Sequence, residues 1–437
     1  MKNRIFGWMW NKQTLVLTVA AFFSFSMWFY VDRVWSPPSE MHFSDLYPRW
    51  YGSRELLLHG RDPYGPDVTW EIASWTYGNA VESERGQGNQ GEDRLDYPLF
   101  AYPLYVAFIL SPTVWLPYSK VESLFRLIMP ALAFVSVPLW ISALRWKCNW
   151  STIGALALLS FGSFPTLENI YMQQPALLAA AFLAASAAAL ASNRLFLAGT
   201  LLAWGTIKPQ FIFLLVPWLM LWAFSDWKSR KKLVQGFGIT MFLLAGVSEL
   251  FLPGWIREFI EGAFAYHHYT GNFSILTLLF RKSGGAVVSI GLVAGLALCT
   301  WQLRHEHAGS DRFNVALCLV FVVTLLIIPT MYPTGQILLL PCVFFALKKF
   351  STIWAEGRSA RLAHVAVCAL IGWQWVGSSA LMLAALTTPA ATIRKLWVIP
   401  VSPLPLVPPA VLVLFSILAA SMLSRRLSWV DTNAPEG

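Results

Sequence analysis

Charged residues are scarce in this sequence, and that scarcity already excludes most classes of protein. Of its 437 residues, 13% are Asp, Glu, Lys or Arg, whereas 56% are hydrophobic. A soluble globular protein of this length would need far more charge on its surface. The apolar runs are repeatedly about 17 to 25 residues long, which suits helices across a hydrocarbon core and not barrel strands. We therefore predict an all-α polytopic membrane protein.

Motifs for nucleotides, metals and redox chemistry are also missing. The sequence contains no G-x-S-x-G, no Walker loop, no H-E-x-x-H and no C-x-x-C. Its five cysteines lie in or beside apolar runs without metal-ligand spacing, so we expect neither a disulfide framework nor a metal. No cofactor is expected. A soluble nucleotide-sugar domain is absent too, so a donor substrate would arrive from the membrane or from outside the cell.

The net charge of +9 does not indicate nucleic acid. Lys and Arg lie mostly in short clusters between apolar runs, which is the pattern of the positive-inside rule. The expected partner of this surface is the lipid bilayer. These clusters place both termini in the cytoplasm, with the first apolar run as a retained signal anchor in a bacterial plasma membrane.

We predict one integral membrane domain with about twelve spans. Its parts are a cytoplasmic tail with the first span (1–31), an extracytoplasmic loop (32–120), the remaining spans (121–424) and a cytoplasmic tail (425–437). Residues 97–117 are ambiguous, because four prolines interrupt the run. Positive-inside counting favours a re-entrant or interfacial hairpin there. The alternative, with 97–117 as a span and 195–224 as one kinked helix, also gives twelve spans.

The first outer loop carries the main candidate for chemistry. Residues 43–64 place Asp45 close to the lipid boundary, directly before a predicted interfacial helix over Leu46–His59. A carboxylate there could deprotonate a sugar hydroxyl at the membrane surface. The alternative is that Ser44-Asp45 caps the helix, with Pro48 in its first turn.

Three basic residues are candidates for binding a phosphate. Lys208 lies inside the apolar run LLAWGTIKPQFIFLLVPW, where an ammonium is costly unless it faces a cavity or an anion. Pro209 breaks the helix beside it. The alternative for Lys208 is a side chain that extends from a helix end to the headgroups. Arg49 and Arg54 could contact a lipid phosphate or ordinary headgroups.

Polar and aromatic residues of the outer turns are candidates for sugar or acceptor contacts. Glu168, Gln173 and Gln174 lie together between two apolar runs, where they could bind hydroxyls or form an ordinary polar turn. His267 and His268 lack a third metal ligand nearby in sequence, and packing in an aromatic belt is the alternative for them. The full set of candidates comprises Gln173, Gln174, Tyr102, Tyr332, His267 and His268.

The order of these motifs resembles glycosyltransferase family 87, the polyprenol-phosphate-mannose-dependent mannosyltransferases of the GT-C membrane fold. The first outer loop of the family appears as Asp45, LYPRWYGSRELLLHGRDPY and YPLFAYPLYVAFILSPTVWLP. Its later motifs appear as QQPALLAA with Gln174, as TIKPQ with Lys208 and as Asn272-Phe273-Ser274. The resemblance covers roughly residues 15–345.

This resemblance implies an inverting transfer of mannose or another hexose or pentose. Asp45 would be the base, Lys208 would contact the phosphate of a polyprenyl-phosphate donor, and Gln174 would contact sugar or phosphate. The acceptor would be a glycolipid or a glycan. Where the family has His-His or His-Tyr in a late outer turn, this chain has Thr334 and Gly335. That difference casts doubt on mannose, and Tyr332 or Gln336 is the candidate to substitute.

Two other functions fit the same features. A transporter or flippase of lipid-linked sugars would share the cavity, the lysine and the aromatic residues, but we find no internal repeat of the kind expected for transporters. A polymerase or ligase of surface polysaccharide would use a diphosphate-linked donor. Such enzymes typically place arginines in a large late outer loop, and the late loops here are short.

Overall fold

Helices make up the regular structure of the described part of the chain. The computed structural model describes residues 12–36, 44–78, 99–269, 274–328 and 333–432, with the side chains of 265–269 and 425–432 left out. No strand occurs in these ranges. The α-helices there are α1 (Lys12–Tyr30), α2 (Leu46–His59), α3 (Pro66–Tyr77), α4 (Val106–Leu110), α5 (Tyr118–Ala143), α6 (Trp150–Phe161), α7 (Phe164–Tyr171), α8 (Ala176–Ala191), α9 (Leu195–Gly205), α10 (Pro209–Ile212), α11 (Leu215–Phe224), α12 (Trp227–Phe251), α13 (Trp255–Tyr269), α14 (Ile275–Gln302), α15 (Asp311–Ile327), α16 (Leu340–Lys348), α17 (Phe350–Ala355), α18 (Arg358–Ala384), α19 (Ala390–Lys395) and α20 (Val407–Thr432).

Six helices in the described ranges are long and apolar enough to cross a membrane. They are Lys12–Trp35, Tyr118–Ala143, Trp227–Phe251, Ile275–Gln302, Arg358–Ala384 and Leu404–Ser424. A seventh crossing results if α6 and α7, which meet at 57°, count as one broken span. These helices confirm a multi-pass membrane protein. The remaining predicted spans correspond to shorter helices, so the count of twelve stays a prediction.

Helix α15 forms the centre of the molecule. Every residue from 313 to 326 is buried, whereas a helix at the surface would bury one face. On the outside, α12 and α14 expose large apolar side chains such as Phe242, Leu250 and Ile290. An extended apolar surface of this kind is what helices in contact with lipid present.

Residues 99–117 do not form a helix that could span the membrane. They contain α4, with five residues, and a single 3₁₀ turn at Ser111–Thr113. A five-residue helix is ~8 Å long, far less than a hydrocarbon core of ~30 Å. Most of the segment is buried against the protein, and Trp50 of α2 donates its indole N–H to the carbonyl of Thr113 at 3.2 Å. Residues 195–224 are likewise three short helices and not one kinked helix.

The predicted helix over Leu46–His59 is present with those bounds. Its contacts differ from the expectation of an interfacial helix, because most of its first ten residues are buried in the protein. An ion-pair network joins it to α3. Arg61 donates to Glu55 at 2.8 Å and to both carboxylate oxygens of Glu71 at 2.8 and 3.0 Å, and Tyr51 donates to Glu71 at 2.7 Å. The first outer loop is therefore a packed platform.

Helix α9 packs closely on α12 and is followed by a break in the helical chain before α10. Gly199 and Gly236 lie at this contact, and a Cβ on either would collide with the backbone of the opposite helix. Helix α9 ends at Gly205, and Pro209 begins α10 after a three-residue break. Proline suits the first turn of a helix, where its missing N–H is not needed. Lys208 lies in this break.

Candidate active site

The carboxylate of Asp45 faces the centre of a polar cluster and not the start of α2. Its side chain makes no capping hydrogen bond, and Ser44 Oγ instead accepts from the backbone N–H of Leu46 at 3.3 Å. The backbone N–H of Asp45 donates to the carbonyl of Met172 at 2.8 Å, which fixes the residue against the turn after α7. The capping alternative for Asp45 is therefore not what the structure contains.

Gln174 connects Asp45 to Lys208. Its Nε2 donates to Asp45 Oδ2, and its Oε1 accepts from Lys208 Nζ at 3.3 Å. An amide can do this because it carries a donor and an acceptor on one rigid group. The predicted base and the predicted phosphate contact thus belong to one hydrogen-bonded chain, although 163 positions separate them in sequence.

Lys208 points into this cluster. It precedes α10 in a non-helical conformation, with φ −119° and ψ 84°, and its ammonium lies 5.2 Å from the ring centroid of Phe211. The side chain is partly buried and contacts Gln174, which argues against extension to the headgroups. An intramembrane ammonium with one neutral partner has donors left for an anion.

Arg49 is the second cation of the cluster. Its Nη1 lies 3.6 Å from Asp45 Oδ1, and its guanidinium lies over the ring of Tyr102, 4.5 Å from the centroid. The side chain is buried, and its Nε has no hydrogen-bond partner in the described part of the chain. Arg49 and Tyr102, both candidates from the sequence, therefore lie in the same cluster, and Arg49 Nε is a donor without a partner in the described part of the chain.

Glu168 also belongs to this cluster. It lies in α7, is 7% exposed and interacts electrostatically with Asp45 and Lys208. Its Oε2 has no hydrogen-bond partner within the described residues. The sequence left Glu168 open between contact with sugar hydroxyls and an ordinary polar turn, and Glu168 was not among the predicted site residues. The available signal was an acidic residue beside an apolar segment.

Gln173 differs from its neighbour Gln174. It adopts a left-handed backbone conformation with φ 51°, and its side chain bonds to residues other than Asp45. Its Oε1 accepts from Ser44 at 2.9 Å and from Tyr118 at 3.1 Å, and its Nε2 donates to the carbonyl of Glu122 at 3.2 Å. The protein satisfies its amide oxygen and one of its two N–H donors, and a sugar contact at Gln173 stays a prediction.

Among the remaining candidates, Arg54 is the one whose side chain the structure describes, and it is not joined to this cluster. The guanidinium of Arg54 lies over the ring of Trp50, 5.5 Å from the centroid, and makes no contact with Asp45 or Lys208 among the described residues. Tyr332 and the side chains of His267 and His268 lie outside the described part of the structure. Their predicted roles stay predictions.

Two ionisable groups of the outer platform have shifted pKa values. The hydrogen bonds from Arg61 lower the pKa of Glu71 below its ordinary value, and the hydrogen bond from Tyr51 acts in the same direction. Burial, assisted by the neighbouring carboxylate of Glu71, raises the pKa of Tyr51 to about 12. At neutral pH Glu71 is thus ionised and Tyr51 is protonated, which suits a structural ion pair.

The described residues hold no group of three or more His, Cys, Asp or Glu side chains placed to bind a metal ion. Independence from metals stays a prediction. What the cluster offers is one partly exposed carboxylate able to accept a proton, with two cations linked to it on the adjacent side.

Comparison with known proteins gives one match. A family model described as glycosyltransferase family 87 matches residues 100–329, slightly more than half of the chain. The matched range contains Tyr102, Glu168, Gln174 and Lys208, and it begins after Asp45 and Arg49. Searches of curated proteins and of solved structures found no match. The assignment of Asp45 to the site therefore depends on its contact with Gln174, inside the matched range.

Proposed function

The chain belongs to glycosyltransferase family 87, and on that basis we propose that it moves one sugar from a polyprenyl monophosphate to a glycolipid or glycan. The architecture would be GT-C, and the reaction would take place at the outer face of a bacterial plasma membrane. The observation that carries the proposal is the hydrogen-bonded chain from Asp45 through Gln174 to Lys208. It holds a base and a cation at a fixed separation.

Asp45 acts as the general base in this mechanism. The acceptor hydroxyl loses its proton to the Asp45 carboxylate while its oxygen attacks the anomeric carbon. The bond between that carbon and the phosphate oxygen breaks, and polyprenyl phosphate leaves with the electron pair. One displacement on the opposite face inverts the anomeric configuration. Gln174 holds the carboxylate in place, and positioning of this kind lowers the barrier by pre-organising the attack.

Lys208 and Arg49 stabilise the departing phosphate. Lys208 has one neutral partner at 3.3 Å, and Arg49 has an unpartnered Nε, so both can donate to phosphate oxygens. Two cations match the charge that develops on a monophosphate leaving group. This match is why we prefer a monophosphate donor, and why the mechanism uses no metal.

The donor sugar is a hexose or a pentose. The family's histidine pair in the late outer turn is replaced here by Thr334 and Gly335, which begin a 3₁₀ helix over Thr334–Leu339. Gln336, a proposed substitute, is buried and donates to the carbonyl of Leu404 at 2.8 Å. This engagement gives no support for a direct role of Gln336 on mannose.

The proposal is tested by transfer with the purified protein in nanodiscs. Radiolabelled sugars on polyprenyl monophosphate, and the same sugars on polyprenyl diphosphate, are supplied separately with a total lipid extract as acceptor. We expect label to move into a new product from one monophosphate donor, with inverted configuration at the anomeric carbon. Transfer from the diphosphate donors alone would instead identify a polymerase or ligase.

A flippase gives a different result in the same preparation. It would bind the donor saturably and form no product, and it would move the labelled lipid between the leaflets of sealed liposomes. Movement between leaflets without transfer from any donor would overturn the proposed enzyme activity.

A further inference from the structure

Glu168 is a buried carboxyl that the proposed mechanism does not use. A buried carboxyl oxygen without a hydrogen bond is costly, and native proteins rarely keep one without reason. Glu168 is next to Asp45 through Met172, whose N–H donates to the Glu168 carbonyl at 2.9 Å and whose carbonyl accepts from the Asp45 N–H at 2.8 Å, and Glu168 Oε2 has no hydrogen-bond partner within the described residues. We therefore expect a bound substrate to supply the hydrogen-bond partner of Glu168 Oε2.

The helix that carries Glu168 is held rigidly. At its start, the backbone N–H of Phe164 donates to Gln374 Oε1 at 2.8 Å. Next to Glu168, Asn169 Nδ2 donates to the carbonyl of Pro165 at 2.7 Å and to that of Thr334 at 3.0 Å. A side chain on a fixed element can discriminate between ligands, because it cannot follow a displaced hydroxyl.

The chemistry of the unpartnered atoms identifies the kind of ligand group. Arg49 Nε is a donor and needs an acceptor, such as a phosphate oxygen. Glu168 Oε2 is a carboxyl oxygen, which accepts a hydrogen bond when ionised and can donate one when protonated, and a sugar hydroxyl can pair with it in both forms. The phosphodiester of a lipid-linked sugar carries no proton to donate at neutral pH, whereas every sugar hydroxyl does. The two atoms therefore complement the two halves of a sugar phosphate.

We propose that Glu168 accepts a hydrogen bond from a hydroxyl of the transferred sugar and is a specificity-determining residue for the donor. This inference rests on the proposed glycosyl transfer. A site built to bind one hydroxyl rejects analogues that lack it, because the buried protein group is then left unpaired. Glu168 would accordingly set which sugar the enzyme accepts, while Asp45 performs the proton transfer.

The test combines a change in the protein with a change in the sugar. The wild type and Glu168→Met are assayed with the donor identified in the transfer experiment and with each of its monodeoxy analogues. For the wild type, we expect one deoxy analogue to lose roughly 10- to 100-fold in kcat/KM. Glu168→Met should lose a similar factor on the complete donor and show no further loss on that analogue.

The thermal stability of Glu168 variants distinguishes a role in substrate binding from a structural role. Methionine fills a similar volume without a polar group, so Glu168→Met should keep or raise the thermal unfolding temperature if the carboxyl serves substrate binding. A second variant, Glu168→Gln, retains one accepting oxygen and should show an intermediate loss on the complete donor. Glu261→Gln, an exposed carboxyl paired with Arg257, is the matched control and should behave as the wild type.

Each outcome has one meaning. If both Glu168 variants discriminate between the deoxy analogues as the wild type does, the inference is wrong while the transfer activity stands. A lowered unfolding temperature together with unchanged discrimination would assign Glu168 a structural role. If the wild type transfers no sugar from any donor, the proposed function itself has failed.

Discussion

Two basic side chains in apolar surroundings, Arg230 and Lys208, differ in how completely the protein satisfies them. Arg230 is buried at the start of α12, over the ring of Trp222, and its guanidinium nitrogens have several oxygen partners. These partners are the carbonyls of Trp222, Arg304, His305 and Glu306 and the hydroxyl of Ser225, at 2.8 to 3.2 Å. By contrast, the hydrogen bond of the Lys208 ammonium is to a neutral group, Gln174 Oε1, at 3.3 Å.

The difference separates a structural cation from a ligand-binding one. Arg230 joins the segment after α14 to the end of α11, and no donor of its terminal nitrogens is left for a ligand. Lys208 and Arg49 keep donors free in the same kind of environment, where an unmade hydrogen bond is expensive. The oxygens of a bound phosphate would accept hydrogen bonds from these free donors.

Asp45→Asn should have the largest effect on activity. The amide of the variant cannot take up the proton of the attacking hydroxyl. We therefore expect the rate of transfer to fall about 10²- to 10⁴-fold while donor binding is retained. Single-turnover transfer measured beside donor binding checks this. The matched control is Asp62→Asn, because Asp62 Oδ1 accepts from the backbone N–H of Tyr64 at 2.9 Å in a turn of the same loop. An Asp45→Asn variant with wild-type turnover would remove the base assignment.

Arg230→Met should act on stability and leave donor binding alone. Removing the guanidinium takes a charged donor from four backbone carbonyls, of which those of Trp222, Arg304 and Glu306 also accept from Ser225 Oγ or Trp222 Nε1. We therefore expect a total cost of ~1–3 kcal/mol. Thermal unfolding of the purified variant should therefore occur at a lower temperature, while donor affinity per folded molecule stays at the wild-type value. A large loss of donor affinity with unchanged stability would break the distinction between the two cations.

Arg49→Met should show the opposite pattern. Loss of a charged donor to phosphate is expected to weaken donor binding roughly 10- to 100-fold, with little change in unfolding temperature. Arg126→Met serves as control, because Arg126 is exposed and pairs with Glu122 at 2.7 Å on the surface of α5. Equal donor affinity in Arg49→Met and wild type would exclude Arg49 from the phosphate site.

The smallest expected effect concerns the ion pair between Arg61 and Glu71. Because folding lowers the pKa of Glu71 below its ordinary 4.5, the stabilisation is present above that value and is lost as the pH falls through the folded-state pKa. Both side chains are about one third exposed, so the contribution is below ~1 kcal/mol. The difference in unfolding temperature between wild type and Glu71→Gln should be constant near neutral pH and shrink in acid. A difference that grew below pH 4.5 would contradict this account.

Sequence patterns predicted the elements whose cause is local. The bounds of α2 followed from the turn residues on either side of an aromatic-rich segment, and the break at Lys208 followed from Pro209. The prolines left residues 97–117 open between a span and a re-entrant segment, and the described part, 99–117, contains only short helical turns. Roles for Asp45, Gln174 and Lys208 in one site were expected from the order of the family motifs, whereas the hydrogen bonds of Gln174 to the other two were not predicted.

Contacts made by tertiary packing could not be read from the sequence. Gln173 and Gln174 are identical neighbours in sequence, yet Gln173 has a positive φ and the two side chains bond to different partners. In the sequence, Arg230 is one of several basic residues in a cluster. Its burial and its hydrogen bonds depend on the segment after α14, which packs over it. The pairing of Arg61 with Glu71 depends on the angle at which α3 returns to α2. Burial of Glu168 likewise depends on α7 being covered by neighbouring elements.

Binding of a polyprenyl monophosphate by Lys208→Met tests the central claim most directly. Equilibrium titrations in nanodiscs would compare this variant with the wild type and with Asp45→Asn, using the same lipid. We predict that Asp45→Asn binds as the wild type does and that Lys208→Met binds roughly 10- to 100-fold more weakly. A wild-type dissociation constant for Lys208→Met would contradict the account, because it would show that the Lys208 ammonium does not bind the phosphate of the donor.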